Sequence, residues 1–540
     1  MQLELLKNGE RQSASAVASE FEIITVTPQA EGRTELRLKI PIIDLQGYWT
    51  PADRTPNARI NWVIQAESTV QRNFPFISFF NSAQMNRCSV GLDCIYDDVA
   101  ITAKMNQETC DYELLIIVTA PAGSEPFKVI VNRRDQLWTR CLADWRNELK
   151  QPELHFPEAA WHPVFCTWYA VHAAVTAPWV EETAREAARL GFGTYIIDDG
   201  WCFDDMKRVS PETIGTWYEM IGDWDVSEKK FPEFEKHIRR VQDMGLKYMV
   251  WVTPFLIGLK SRLYREIEGC MFAKSAEGCQ VFNTANVDAG RIIIDKLASL
   301  MEKYPLDGLK VDFLDSVLPS IDDPHGRITR RFIEDLSNAI RNGNAEALIE
   351  FRQNYATFGM LPYATQFRAG DVPFDFIDNF QRLAQIRISI GDGVPVHADP
   401  VYWHPRETTA NISRHMIASL VGVPMLSMDL NKVSESEKRI IAHWLGFYKE
   451  HLETFSQGKW DIRYGAAAVN WIAANGAKSR IVILSEPHCL AEAVTAGGTE
   501  PQYVLNLTAE ALAHPGARAF DCFGQAVEDG AAPSGGYLQL

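Results

Sequence analysis

Residues 194–201 read TYIIDDGW. The run Tyr195-Ile196-Ile197 is apolar and β-branched enough for a short buried strand. It stops abruptly at two adjacent carboxylates, Asp198 and Asp199, followed by Gly200 and Trp201. Two like charges cannot extend a strand that is buried on both faces, so the buried part ends at Ile197 and the doublet emerges at an open end. Seven further apolar runs, at 164–169, 247–252, 308–313, 347–351, 365–369, 394–397 and 423–426, alternate with helical stretches such as 179–190, 234–244, 291–303 and 329–341. Eight strand–helix units in about 300 residues predict a (β/α)8 barrel. A doubly wound open sheet is the runner-up, and it loses ground because no GxGxxG follows the first strand.

The flanks read differently. Residues 1–155 hold alternating or β-branched runs at 21–26, 35–40 and 114–118 with turn residues between them, which predicts an N-terminal β-sandwich. The barrel is expected over 156–455. β-like runs return at 468–472, 480–484 and 503–505, so a small C-terminal β-domain is expected over 456–540. No repeat or long linker separates the three parts, and they are expected to pack tightly.

Composition bounds the function. The 540-residue chain is 46% hydrophobic and 23% charged, as soluble globular proteins are. Its formal net charge of -17 argues against nucleic acid or an anionic membrane surface as partner. No run of about 20 apolar residues is present to span a membrane. The N-terminal residues lack a signal-peptide pattern, and ten cysteines are scattered without CxxC spacing, so reduced thiols in a cytoplasm are the expectation. Fifteen tryptophans and sixteen tyrosines supply flat faces on which the C–H faces of sugars can pack.

In a barrel, chemistry lives where strands end, and here the strand ends are charged. Besides Asp198 and Asp199 they offer Trp168 and Tyr169, Trp251, Lys310 with Asp312 two residues on and therefore on the same side of the strand, Glu350 and Arg352, Arg368 and Asp371, and His397 with Asp399. Each has a plainer reading when taken singly. One of the doublet could cap a turn, Trp168 and Trp201 could be mouth core, and Lys310 with Asp312 a structural ion pair. Asp371 could serve as a loop cap, His397 could be a satisfied structural histidine, and Cys166 and Cys202 could be packing. Taken together, carboxylates on separate strands of a tryptophan-lined mouth suggest glycoside hydrolysis, which needs an acid and a nucleophile or base. No HxH, HxxxH or HExxH motif occurs in the barrel, which disfavours zinc. A magnesium-type cluster of Asp198, Asp312 and Glu350 stays open at this point. No metal and no cofactor are expected.

The stretches LGFGTYIIDDGW, GDWDVSEKKFPEFEKHIRRVQDMGLKYMVWVTP, YPLDGLKVDF and, more loosely, RAGDVPFDFIDNFQR and LVGVPMLSMDLNKVSESEKRIIAHWLGFYKEH resemble the retaining α-galactosidases of glycoside hydrolase family 36, in the same clan as family 27. They span about 190–450, and the flanking β-domains suit that family as well. The resemblance implies that Asp312 is the nucleophile, Asp371 the general acid/base and Lys310 a partner for sugar hydroxyls. Asp198 and Asp199 would then hold the 4- and 6-hydroxyls, with Trp201 closing the pocket. Trp168, Trp251, Arg352 and Arg368 are further substrate-binding candidates. The chain departs from the family where Glu350-Phe351-Arg352-Gln353 replaces a cysteine with a glycine-rich run, and where Arg368-Ala369-Gly370 precedes Asp371. Arg352 and Arg368 could recognise an acidic substituent or, preferably, balance the mouth carboxylates. The resemblance thus implies hydrolysis of terminal α-linked sugars on an oligosaccharide or small glycoside, in a possible homo-oligomer. Transglycosylation, non-catalytic sugar binding and a metal-dependent lyase or hydrolase are the alternatives.

Overall fold

The computed structural model describes the chain except residues 31, 122, 150–152, 205–215, 277, 317–324, 373, 467 and 497–500, and the side chains of 216–217 and 273–276. At its centre is a parallel barrel of eight strands: β1 (Val164–Cys166), β2 (Thr194–Ile197), β3 (Lys247–Val252), β4 (Gly308–Val311), β5 (Leu348–Arg352), β6 (Gln366–Arg368), β7 (Val396–His397) and β8 (Met425–Leu426). Neighbours in sequence are neighbours in space, β8 pairs with β1, and a parallel bridge between His397 and Val423 joins the remaining edges. All four residues of β2 are buried, as strands covered on both faces require.

The outer ring is α1 (Ala177–Leu190), α2 (Phe234–Gln242), α3 (Val287–Lys303), α4 (Gly326–Arg341), α5 (Phe376–Ile390), α6 (Thr409–Ser419) and α7 (Glu435–Glu450). Local chemistry sets their ends. A proline opens α1 and Gly191, at φ 109°, closes it. Ser434 and Glu437 form a capping box on α7. The expected alternation fails once. Between β5 and β6 the described residues form a 3-10 turn, Phe358–Tyr363, in place of an α-helix. The N-terminal domain covers that gap: Thr357 Oγ1 donates to the Val70 carbonyl, and Arg330, bonded to Tyr363, lies over the Tyr96 ring. The first strand is also shorter than expected, since Trp168–Val171 is a helical turn.

The N-terminal residues fold into a six-stranded and a five-stranded antiparallel sheet with an apolar interior containing Leu38, Phe79, Val90 and Ile116. The C-terminal residues form a seven-stranded sheet with a smaller core around Val482 and Leu538. The largest apolar cluster runs without interruption from Trp49, Phe74 and Trp138 through the barrel to Tyr464 and Tyr537, so residues of all three parts contribute to it. Among the described residues, no helix is long and apolar enough to cross a membrane. All ten cysteines are free thiols.

Candidate active site

A cavity opens at the carboxyl end of the barrel strands. It is lined by Cys166, Trp168, Tyr169, Asp198, Asp199, Tyr218, Trp251, Lys310, Asp312, Phe313, Arg352, Arg368, Asp371 and Pro400. The doublet sits here because Gly200 turns the chain sharply after it. Its φ is 106°, and a Cβ there would meet the Ala173 Cα at 2.5 Å. The buried Lys230 ammonium locks the turn by donating to the carbonyls of Ala173 and Gly200, each at 2.8 Å. Asp198 Oδ1 accepts from the Asp199 amide at 2.9 Å, while Oδ2 accepts from Lys310 Nζ at 2.5 Å and from the Cys166 thiol at 3.0 Å.

Lys310 and Asp312 do share one side of their strand, yet the ammonium pairs with Asp198. Burial works against its charge, but Asp198, with Cys166 and Asp312, outweighs burial and raises the Lys310 pKa. Asp312 accepts from the Trp251 indole at 3.0 Å and from the Phe313 amide at 2.8 Å. Phe313 has a φ of 58°, an unfavourable backbone state for a bulky residue, and its ring lies 4.8 Å below the Arg352 guanidinium.

Strand β5 runs between the strands that carry Asp312 and Asp371, and its Arg352 joins the two. Arg352 Nη1 is 3.3 Å from Asp312 Oδ1 and 3.6 Å from Asp371 Oδ2. Those two oxygens therefore lie within about 7 Å of each other. Arg368, next to Arg352 in register on β6, contacts Asp371 at 3.1 Å and Glu350 at 3.7 Å and also pairs with Asp399. Burial favours a protonated Asp312, but Arg352, then Lys310 and Arg368, hold its pKa below the usual value. Burial works to lift the Asp371 pKa, but Arg368, then Arg352 and Lys310, outweigh it and pull it down to about 2. Asp399 behaves oppositely: burial, helped by Asp371, outweighs Arg368 and pushes it up to about 7.

Most of the candidates drawn from the sequence thus converge: Trp168, Asp198, Asp199, Trp251, Lys310, Asp312, Arg352, Arg368 and Asp371 line one cavity. Trp201 does not line it. Its ring is fully buried, stacked on Phe234 (6.2 Å, 8°), with its N–H given to the Trp251 carbonyl at 2.8 Å. The turn that brings Asp198 and Asp199 to the cavity wall rolls the next side chain into the core. Asp371 also departs from expectation, being held ionised where an acid needs its proton. Asp198, Asp312 and Glu350 do not form a magnesium cluster, since each faces a cation. Among the described residues, no group of three or more histidine, cysteine or acidic side chains is arranged to hold a metal. Sequence reasoning missed Tyr218, Phe313 and Pro400, and it treated Cys166 as packing. Phe313 had a signal, its place directly after Asp312. Tyr218 had none beyond being aromatic.

A closed parallel barrel with carboxylates and cations gathered at the carboxyl ends of its strands has the architecture of the (β/α)8 glycosidases. Residues 146–332 match the Melibiase family model. Over that stretch, about a third of its length, the chain is similar to the Melibiase family. The chain is 25% identical over 337 residues to alpha-galactosidase 1 of Pediococcus pentosaceus, covering 56% of this chain and 42% of that one. Alpha-galactosidase AgaA of Geobacillus stearothermophilus is 23% identical over 319 residues, covering 52% of this chain and 40% of its own length. The chain therefore spans less than half of these curated relatives. Among solved structures, the galactosidase domain of the alpha-galactosidase-sucrose kinase AgaSK superposes with a TM-score of 0.62 at 15% identity, covering 98% of this chain and 81% of that one.

Proposed function

We propose that the chain is a retaining α-galactosidase that cleaves terminal α-linked galactose by double displacement. The observation that carries this reading is the Arg352 bridge, which keeps Asp312 and Asp371 close together on either side of β5 in a barrel similar to the Melibiase family. The Asp312 carboxylate attacks the anomeric carbon as the bond to the leaving oxygen breaks, and Asp371 gives that oxygen its proton. Asp371 then takes a proton from water, which hydrolyses the glycosyl ester and frees Asp312. Arg352, Lys310 and the Trp251 N–H favour the ionised nucleophile. Asp198 and Asp199 accept hydrogen bonds from sugar hydroxyls.

Asp371 starts as a carboxylate, so the acid step requires bound sugar to exclude water and part Asp371 from Arg368 and Arg352, which raises its pKa. Oligosaccharides suit the site as substrates, and structures of AgaA variants have been solved with raffinose and with stachyose. The ten free thiols suit a reducing compartment, and a cytoplasmic place of action goes with them. The test is NMR of the sugar first released from p-nitrophenyl α-galactopyranoside. α-Galactose appearing first supports the reading, β-galactose appearing first refutes retention, and no release refutes the activity.

A further inference from the structure

Three aromatic rings lead out of the cavity. Tyr169 lines its wall, and its phenol points to Asp399 at 3.3 Å. The Tyr169 ring stacks with Tyr402 at 6.3 Å and 23°, and Tyr402 meets Phe374 at 4.8 Å and 54°. Phe374 lies three residues beyond Asp371 and is 63% exposed. A single exposed aromatic residue is ordinary on a protein surface. This one ends a continuous path that starts at the cavity wall and runs to solvent, beside the carboxylate assigned to the leaving oxygen. Its ring faces are flat and uncharged, and each step along the path is comparable to the length of one sugar ring.

We propose that Tyr402 and Phe374, continuing from Tyr169, form the binding surface for the leaving-group sugars, so that α-galactosyl oligosaccharides are preferred over galactosides without a sugar leaving group. The inference rests on the function proposed above and deepens it. Galactose held by Asp198 and Asp199 leaves its glycosidic oxygen toward Asp371, and the next sugar packs its C–H face on Tyr402 and the one after on Phe374. Stacking of this kind orders the leaving group for protonation, which matters most for sugar alcohols that leave poorly without a proton.

The experiment compares Phe374→Ala and Tyr402→Ala with the unchanged chain on an α-galactosyl trisaccharide and on α-galactosyl fluoride, which has no leaving-group sugar to stack. Thermal unfolding monitors the fold. The expected result is about a tenfold fall in kcat/KM on the trisaccharide, mainly through KM, and less than about a twofold change on the fluoride. Equal loss on both substrates, or no loss on the trisaccharide, overturns the proposal. Loss confined to a long-chain alkyl α-galactoside also overturns it, because the path would then serve an apolar leaving group. If the unchanged chain cleaves none of these substrates, the proposed function itself fails, and this inference with it.

Discussion

Arg352→Met tests the electrostatic logic of the site directly. The guanidinium sits 3.3 Å from Asp312 at its nearest atom and is 17% exposed, so methionine removes the charge and leaves much of the stem's packing. Its charge is spread over the planar group and centred roughly 4–5 Å from the carboxylate. At an effective dielectric of about 20 to 40, the lost attraction is about 2–4 kcal/mol, or about 1.5–3 pKa units. Water entering the vacated space favours the lower end. The sign follows from the role: Asp312 must be ionised to attack, Arg352 is the strongest of the groups depressing its pKa, and its loss raises that pKa. The acid limb of kcat/KM should therefore move up by about 1.5 units or more on an aryl galactoside, whose leaving group needs no proton. Arg352→Lys should keep the limb nearer its original place, since the charge survives while the fork is lost. A limb that moves by less than about half a unit in Arg352→Met would refute the account of how the nucleophile is kept ionised.

Three further outcomes are expected. Asp371→Ala should slow cleavage of galactosyl sugars by a factor on the order of 100 or more while sparing nitrophenyl galactosides, because only poor leaving groups need the proton; parallel losses on both would speak against its role. Asp399 holds a proton up to about pH 7 in the folded chain against an ordinary value of 3.8, so its contribution to stability is complete at low pH and falls as pH rises through that window. Asp399→Asn should flatten the pH dependence of Tm between about 4 and 7, and an unaltered slope would exclude Asp399 as its source. Trp201→Phe should cost about 1–3 kcal/mol in denaturant unfolding, from lost volume and the lost N–H bond, with KM unchanged; a raised KM at full stability would return Trp201 to the cavity.

Much of this protein was legible in its sequence because the relevant signals are local. Strand and helix periodicities are properties of neighbouring residues, and so is the abrupt end of an apolar run in charge. Tyr195-Ile196-Ile197 followed by two aspartates, and Lys310-Val311-Asp312, therefore identified buried barrel strands and the side chains at their open ends. What the tertiary structure alone decided depends on groups far apart in the chain. The backbone turn at Gly200 sends Trp201 into the core although Asp199, two residues earlier, lines the cavity. A β5 side chain joins Asp312 to Asp371, and two guanidiniums from neighbouring strands set the charge of Asp371 against what its acid role suggested. The place of the missing fifth helix is covered by an N-terminal domain hundreds of residues earlier in the chain. A pKa reflects whichever charges surround the group in space, and a cavity wall reflects which way each turn rotates the next side chain; neither is set by residues adjacent in the chain.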